Sequence, residues 1–199
     1  MNTTIARRPA GGPLPLLSAG LRRDLAVVRQ ARLSRLIVVA GMPYAGIDLL
    51  AAIACACLRS RAEHQVWCGW ARELPQAPCG GILVLKSQEV SAVLALRASA
   101  VLYATRDVRE VLAHLQQDHG VLPSLELRSQ YLREEEQARR CRAELFAYKD
   151  FSARLEPAVE HVARALAVPV DCGRVLRELR DPATAGAHAG AASGRFTAN

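Results

Sequence analysis

The chain has 199 residues, of which 51% are hydrophobic, enough for one folded domain with a substantial core and too apolar for a wholly disordered chain. Its net charge of +7 is carried almost wholly by arginine, since lysine occurs only at Lys86 and Lys149. Such a field favours anionic ligands, but no basic-aromatic pattern of a nucleic-acid reader accompanies it, so a nucleic-acid partner is not expected.

Six cysteines, at 55, 57, 68, 79, 141 and 172, form no C-x-x-C pair. Cys55 and Cys57 would point to different sides of one helix. The spacing argues against a zinc site, and scattered thiols without a disulfide framework suit a reducing cytosol.

Taken in order, residues 1–17 read as a flexible N-terminus. Pro13 and Pro15 interrupt the short apolar run after Arg7 and Arg8, so no signal peptide is expected. Residues 18–33 set Leu21, Leu25 and Val28 at helical spacing with arginines between, an amphipathic helix expected to pack on the domain with its basic face in solvent. Residues 36–40 are aliphatic and read as a strand buried on both faces. Gly41 and Gly46 then bracket a short turn, and the Ala- and Leu-rich residues 47–58 read as a buried helix. Arg35 and Arg59 flank this whole apolar run as they would a membrane span. Asp48 near its centre costs about 2.5–3.5 kcal/mol on insertion scales, and Pro43 lies between the glycines, so no transmembrane span is expected.

Residues 64–69 read as a second, short strand, and residues 74–81, with Pro75 and Pro78, as a loop. Residues 82–85 form a third strand ending in Lys86-Ser87-Gln88, followed by a helix over 90–98. Residues 101–105 form a fourth strand, and a helix follows over 107–119 with Asp107 as its cap. This alternation argues for an α/β fold, a mostly parallel sheet flanked by helices. Residues 125–145 read as a charge-dense helix in which Glu135 and Arg139, and Glu136 and Arg140, are spaced for i,i+4 pairs. Residues 146–151 read as a last strand and 155–168 as an amphipathic helix. The domain thus spans 18–180, and the Ala- and Gly-rich residues 181–199 read as a disordered tail.

Strand, glycine-bracketed turn and helix is the layout of a phosphate-binding loop, in which unpaired backbone N–H groups gather into an anion site. The spacing G-x-x-x-x-G fits a P-loop. Ile47 and Asp48 stand where Lys and Ser/Thr are expected, which removes the phosphate-reaching lysine and the magnesium-binding hydroxyl and makes ATP or GTP hydrolysis a poor reading. Gly41-Met42-Pro43-Tyr44-Ala45-Gly46 instead resembles the 5′-phosphosulfate loop of sulfotransferases, G-x-P-(Arg/Lys)-(Ser/Ala)-G-(Thr/Ser)-(Thr/Ser). Residues 83–88 resemble that family's strand ending in Lys-(Ser/Thr)-His. Residues 101–111 resemble its hydrophobic run followed by Arg-Asp-Pro-Arg-Asp-Val, with Arg106, Asp107, Arg109 and Val111 in register. Tyr148-Lys149-Asp150-Phe151, with Pro157 and a helix after it, resembles its Tyr-Glu-Asp-Leu segment. The resemblance runs from about residue 36 to residue 168.

What the resemblance implies is a P-loop NTPase-like fold that binds 3′-phosphoadenosine-5′-phosphosulfate and moves its sulfuryl group to a hydroxyl or amine, without a metal. The nucleotide site would comprise Gly41, Met42, Pro43, Tyr44, Ala45, Gly46, Ile47 and Asp48. Arg106 would hold the 3′-phosphate by a bidentate fork, beside His114, which stands in place of the family's serine. Lys86 would be the catalytic cation. The departures lie at the chemistry. Tyr44 replaces the loop Arg/Lys, and Ile47 and Asp48 replace hydroxyls. Gln88 replaces the catalytic histidine and takes no proton near neutral pH; Glu89 beside it is either a base or a helix-start residue. Asp48 is expected to compete with a ligand for the helix-start N–H groups. Two readings follow: an altered sulfotransferase acting on an acceptor, or a non-catalytic descendant that binds a nucleotide or a protein partner.

Overall fold

A computed structural model describes residues 18–60, 65–74 and 80–181. The flexible N-terminus expected over 1–17 and, apart from Asp181, the disordered tail expected over 181–199 lie outside these residues, as do His64 of the second strand and most of the 74–81 loop.

Within them the chain runs α1 (Ala19–Gln30), β1 (Arg35–Gly41), α2 (Ile47–Arg59), β2 (Val66–Trp70), β3 (Ile82–Ser87), α3 (Ala92–Arg97), β4 (Ala100–Thr105), α4 (Val108–His119), α5 (Leu125–Arg140), β5 (Glu144–Ala147), α6 (Tyr148–Ala153), α7 (Leu155–Ala165) and α8 (Cys172–Arg180). The five strands form one sheet in the order β2-β3-β1-β4-β5, and every neighbouring pair is parallel. The α/β architecture expected from the alternating apolar runs is therefore present.

Alternation along the strands divides the core into two layers. Ile37, Val39, Val84, Leu102 and Ala104 face α2, α7 and α8. Leu36, Val38, Ala40, Leu83, Leu85, Val101 and Tyr103 face α1, α3 and the buried side of α5. The chain leaves β1 through α2 on one face and leaves β4 through α4 and α5 on the other. Neighbouring strands whose connections part in this way open a crevice at their carboxyl ends, where open α/β sheets bind ligands. Residues 36–58 are strand, turn and helix, and no helix among the described residues is long and apolar enough to cross a membrane.

Helices α1 and α7 each stop three residues short of expectation, and three elements differ more. The helix expected to reach residue 145 stops at Arg140, because Arg142 turns left-handed (φ 56°) and the N–H groups of Arg142 and Ala143 bond back to the carbonyls of Arg139 and Ala138. The last strand is Glu144–Ala147, and the aromatic residues after it begin α6 instead of continuing the strand. Helix α8, which the sequence reading passed over, is capped by the Asp171 side chain and buries Val175 against α2 and α7.

Candidate functional site

The turn between β1 and α2 lies in this crevice, and its two glycines are required there. A Cβ on Gly41 would sit 2.7 Å from the carbonyl oxygen of Ala104 on β4. One on Gly46, which adopts φ 88°, would fall 2.5 Å from the Tyr148 ring. Met42, Ala45 and Ile47 are buried, so these loop positions offer a ligand only their backbone. The Ala45 N–H closes the turn onto the Met42 carbonyl at 3.1 Å. Pro43 is half-buried and carries no N–H. Tyr44 takes a left-handed conformation (φ 62°), and its ring stacks on His114 with centroids 5.3 Å apart and planes 13° from parallel.

Gly46 gives α2 no side-chain cap. Asp48 is the acid in its first turn, as the sequence suggests, but its carboxylate does not take up the helix-start N–H groups. Its Oδ1 instead accepts from Lys86 Nζ at 2.9 Å. The pairing follows from the sheet: Lys86 lies opposite Val39 in the β1–β3 register, so its side chain emerges under the start of α2. Lys86 also lies 5.4 Å from the centroid of the Trp70 ring. The lysine side chain is only 5% exposed, whereas Asp48 is 51% exposed. First-turn amides have no intrahelical acceptor. With Asp48 turned to Lys86, they keep no side-chain acceptor in this helix.

Arg106 closes the other side of the loop. Its Nη1 donates to the Tyr44 carbonyl at 3.0 Å, its Nε to Glu110 at 2.8 Å, and its Nη2 lies 3.1 Å from His114 Nε2. The guanidinium rests 4.6 Å above the Tyr148 ring, a cation–π contact. Its backbone is fixed by Tyr131, whose hydroxyl accepts from the Arg106 N–H at 2.8 Å and donates to its carbonyl at 2.6 Å. Asp107 caps α4 by accepting from the Arg109 N–H, as the sequence indicated; Glu110 pairs with Arg106 rather than completing a capping box.

The fold thus brings the loop, Arg106 and His114 into contact, and it brings Lys86 to the loop through Asp48. The sequence reading did not assign Glu110, Tyr131 and Tyr148 to this cluster. Tyr148 opens the segment that resembles Tyr-Glu-Asp-Leu; Tyr131 lies in a helix whose charge density reads as solvated. Gln88 is exposed at the mouth of a separate cleft of about 200 Å³ that it shares with Asp24, Trp70, Ser87 and Glu89. Glu89 precedes α3, whose cap is Ser91, so it is not a helix-start residue. In this cleft the buried Ser87 hydroxyl donates to Asp24 at 2.6 Å. Burial raises the Asp24 carboxyl above its ordinary range; the Ser87 bond opposes this and the charge of Glu89 adds to it.

Compared with known proteins, the chain matches no family model and no curated protein.

Proposed function

We propose that this chain is a sulfotransferase-like protein that keeps a nucleotide site and has lost the transfer chemistry. It binds an adenosine nucleotide of the 3′-phosphoadenosine-5′-phosphosulfate type at residues 41–48 and Arg106, in the cytosol, and moves no sulfuryl group.

The observation that carries this reading is the pairing of both site cations with exposed carboxylates. Lys86 is held by Asp48 and Arg106 by Glu110, and those two acids are 51% and 59% exposed. Each stands where an anionic group would stand and can turn to solvent when one arrives. The uncapped first turn of α2 supplies backbone donors and a positive helix end for the 5′-phosphate. Arg106, beside His114, supplies a fork for the second phosphate.

The same residues do not fit transfer. Tyr44 occupies the position of the loop cation and is committed to His114. Loss of one such charge-stabilising donor commonly costs about 3–4 kcal/mol in the transition state. Gln88 cannot exchange a proton near neutral pH. Incubation with the labelled phosphosulfate donor and a panel of hydroxyl and amine acceptors tests the proposal: bound donor without acceptor labelling is expected, and robust labelling of any acceptor overturns it.

A further inference from the structure

Two turns along α2 from Asp48, Cys55 lies on the same stripe of the helix and meets Cys68 of β2. In the parallel registers Cys68 lies opposite Val84 and Trp70 opposite Lys86, so Cys68, Trp70, Val84 and Lys86 share one face of the sheet beneath α2. Both side chains pack into the layer between the sheet and α2, where the two thiols interact. Cys55 is fully buried, while Cys68, on the edge strand, is partly exposed. Lys86 and Arg59 act on Cys68 as nearby cations, with Asp48 opposing them.

We propose that Cys55 and Cys68 form a peroxide-reactive dithiol in which Cys68 is oxidised first and Cys55 resolves it into an intramolecular disulfide. The Cys68 thiolate attacks a peroxide oxygen. The O–O bond breaks, hydroxide leaves, and Cys68 becomes a sulfenic acid. The Cys55 sulfur then attacks Cys68 Sγ, the S–S bond forms as the S–O bond breaks, and water leaves with the Cys55 proton. Two electrons pass from the thiol pair to the peroxide, which ends as water.

Exposure assigns the order, since Cys68, on the edge strand, is partly open to a peroxide and Cys55 is not; the neighbouring groups act in the same sense. The Cys55 thiol, together with Lys86 and Arg59, pulls the Cys68 thiol below its ordinary value against the effect of burial, while the Cys68 thiol and burial push Cys55 up. The thiolate is the reacting form, so Cys68 is primed. Cys57 lies 3.9 Å from the Val159 carbonyl, and burial pushes it up to about 12. Burial also raises Cys141 and Cys172. The proposal is independent of nucleotide binding.

The test is peptide mapping, without reduction, of the full chain after one equivalent of hydrogen peroxide. A Cys55–Cys68 link with loss of two hydrogens is expected. Cys55→Ala should stop the reaction at a Cys68 sulfenic acid that dimedone traps, and Lys86→Met should slow Cys68 oxidation several-fold. If Cys55→Ala fails to fold, timed alkylation of the wild type replaces it, and Cys68 should react before Cys141 and Cys172. Oxidation beginning at another cysteine, a bridge from Cys68 to any cysteine but Cys55, or no bridge at all would overturn the proposal.

Discussion

The buried ammonium of Lys86 rests against the exposed carboxylate of Asp48, 2.9 Å away, and so joins the end of β3 to the start of α2. Lys86 stands two residues before the exposed Gln88, and Asp48 two residues after the second loop glycine. Their contact makes one side chain decide two properties. It leaves the helix start open to an anion, and it holds the nearest lysine paired until one arrives.

Asp48→Asn follows directly. Lys86 loses a charged partner while staying buried, so the fold should weaken by about 1 kcal/mol, the exposure of Asp48 limiting the loss. The same change should tighten binding of adenosine 3′,5′-bisphosphate several-fold, and the gain should shrink as salt rises. Denaturant titration and calorimetry read the two effects separately. Weaker binding together with an unchanged fold would contradict the assignment of Asp48.

Arg106→Ala should weaken the same nucleotide by about 1.5–3 kcal/mol, the value of a lost charged hydrogen bond. It should also lower Tm, because Arg106 ties the loop carbonyl of Tyr44 to Glu110, His114 and Tyr148. Arg106→Lys should recover part of the affinity and less of the stability, since an ammonium lacks the fork. An unchanged dissociation constant in a folded Arg106→Ala protein would remove this residue from the site.

Gly46→Ala combines a left-handed backbone with a clash against the Tyr148 and Phe151 rings. The backbone alone costs about 1–3 kcal/mol. Trimming Tyr148 to alanine should relieve its share of the overlap but neither the Phe151 contact nor the strained φ, so the double variant should recover only in part. Gly41→Ala meets the Ala104 backbone and should have no such rescue. Thermal unfolding of the variants checks the order.

Asp24 sets a pH dependence. Burial, with the charge of Glu89, raises its folded-state carboxyl above the ordinary value, so its contribution to stability is present at low pH and lost as pH rises through that raised value. Asp24→Asn still accepts from Ser87 and carries no charge. It should therefore be more stable than wild type at pH 7, with the difference fading as pH falls into the ordinary carboxylate range. An equal pH profile for both proteins would show that Asp24 titrates normally.

The central strands were legible because residues 36–40, 82–85 and 101–104 are apolar runs buried on both faces, which few other arrangements explain. The glycine-bracketed loop and the Arg106-Asp107 strand end were legible for the same local reason. Helix ends were not: α5 and α7 both close on left-handed residues that are not glycine, Arg142 and Ala167, so no stop signal is written there. Helix α8 was hidden by its arginines, although Asp171, Val175, Leu176 and Leu179 carry its cap and apolar face. The Lys86–Asp48 and Cys55–Cys68 contacts could not be read locally. Both depend on β3 lying beside β1, and β2 beside β3, beneath α2, a relation that only the sheet order creates.

The most direct test is calorimetric titration of the wild-type chain with adenosine 3′,5′-bisphosphate. Saturable binding at one site, weakening as salt rises, is the predicted result. The absence of any binding heat at every temperature and salt tested would contradict the account, leaving the crevice between β1 and β4 without the ligand proposed for it.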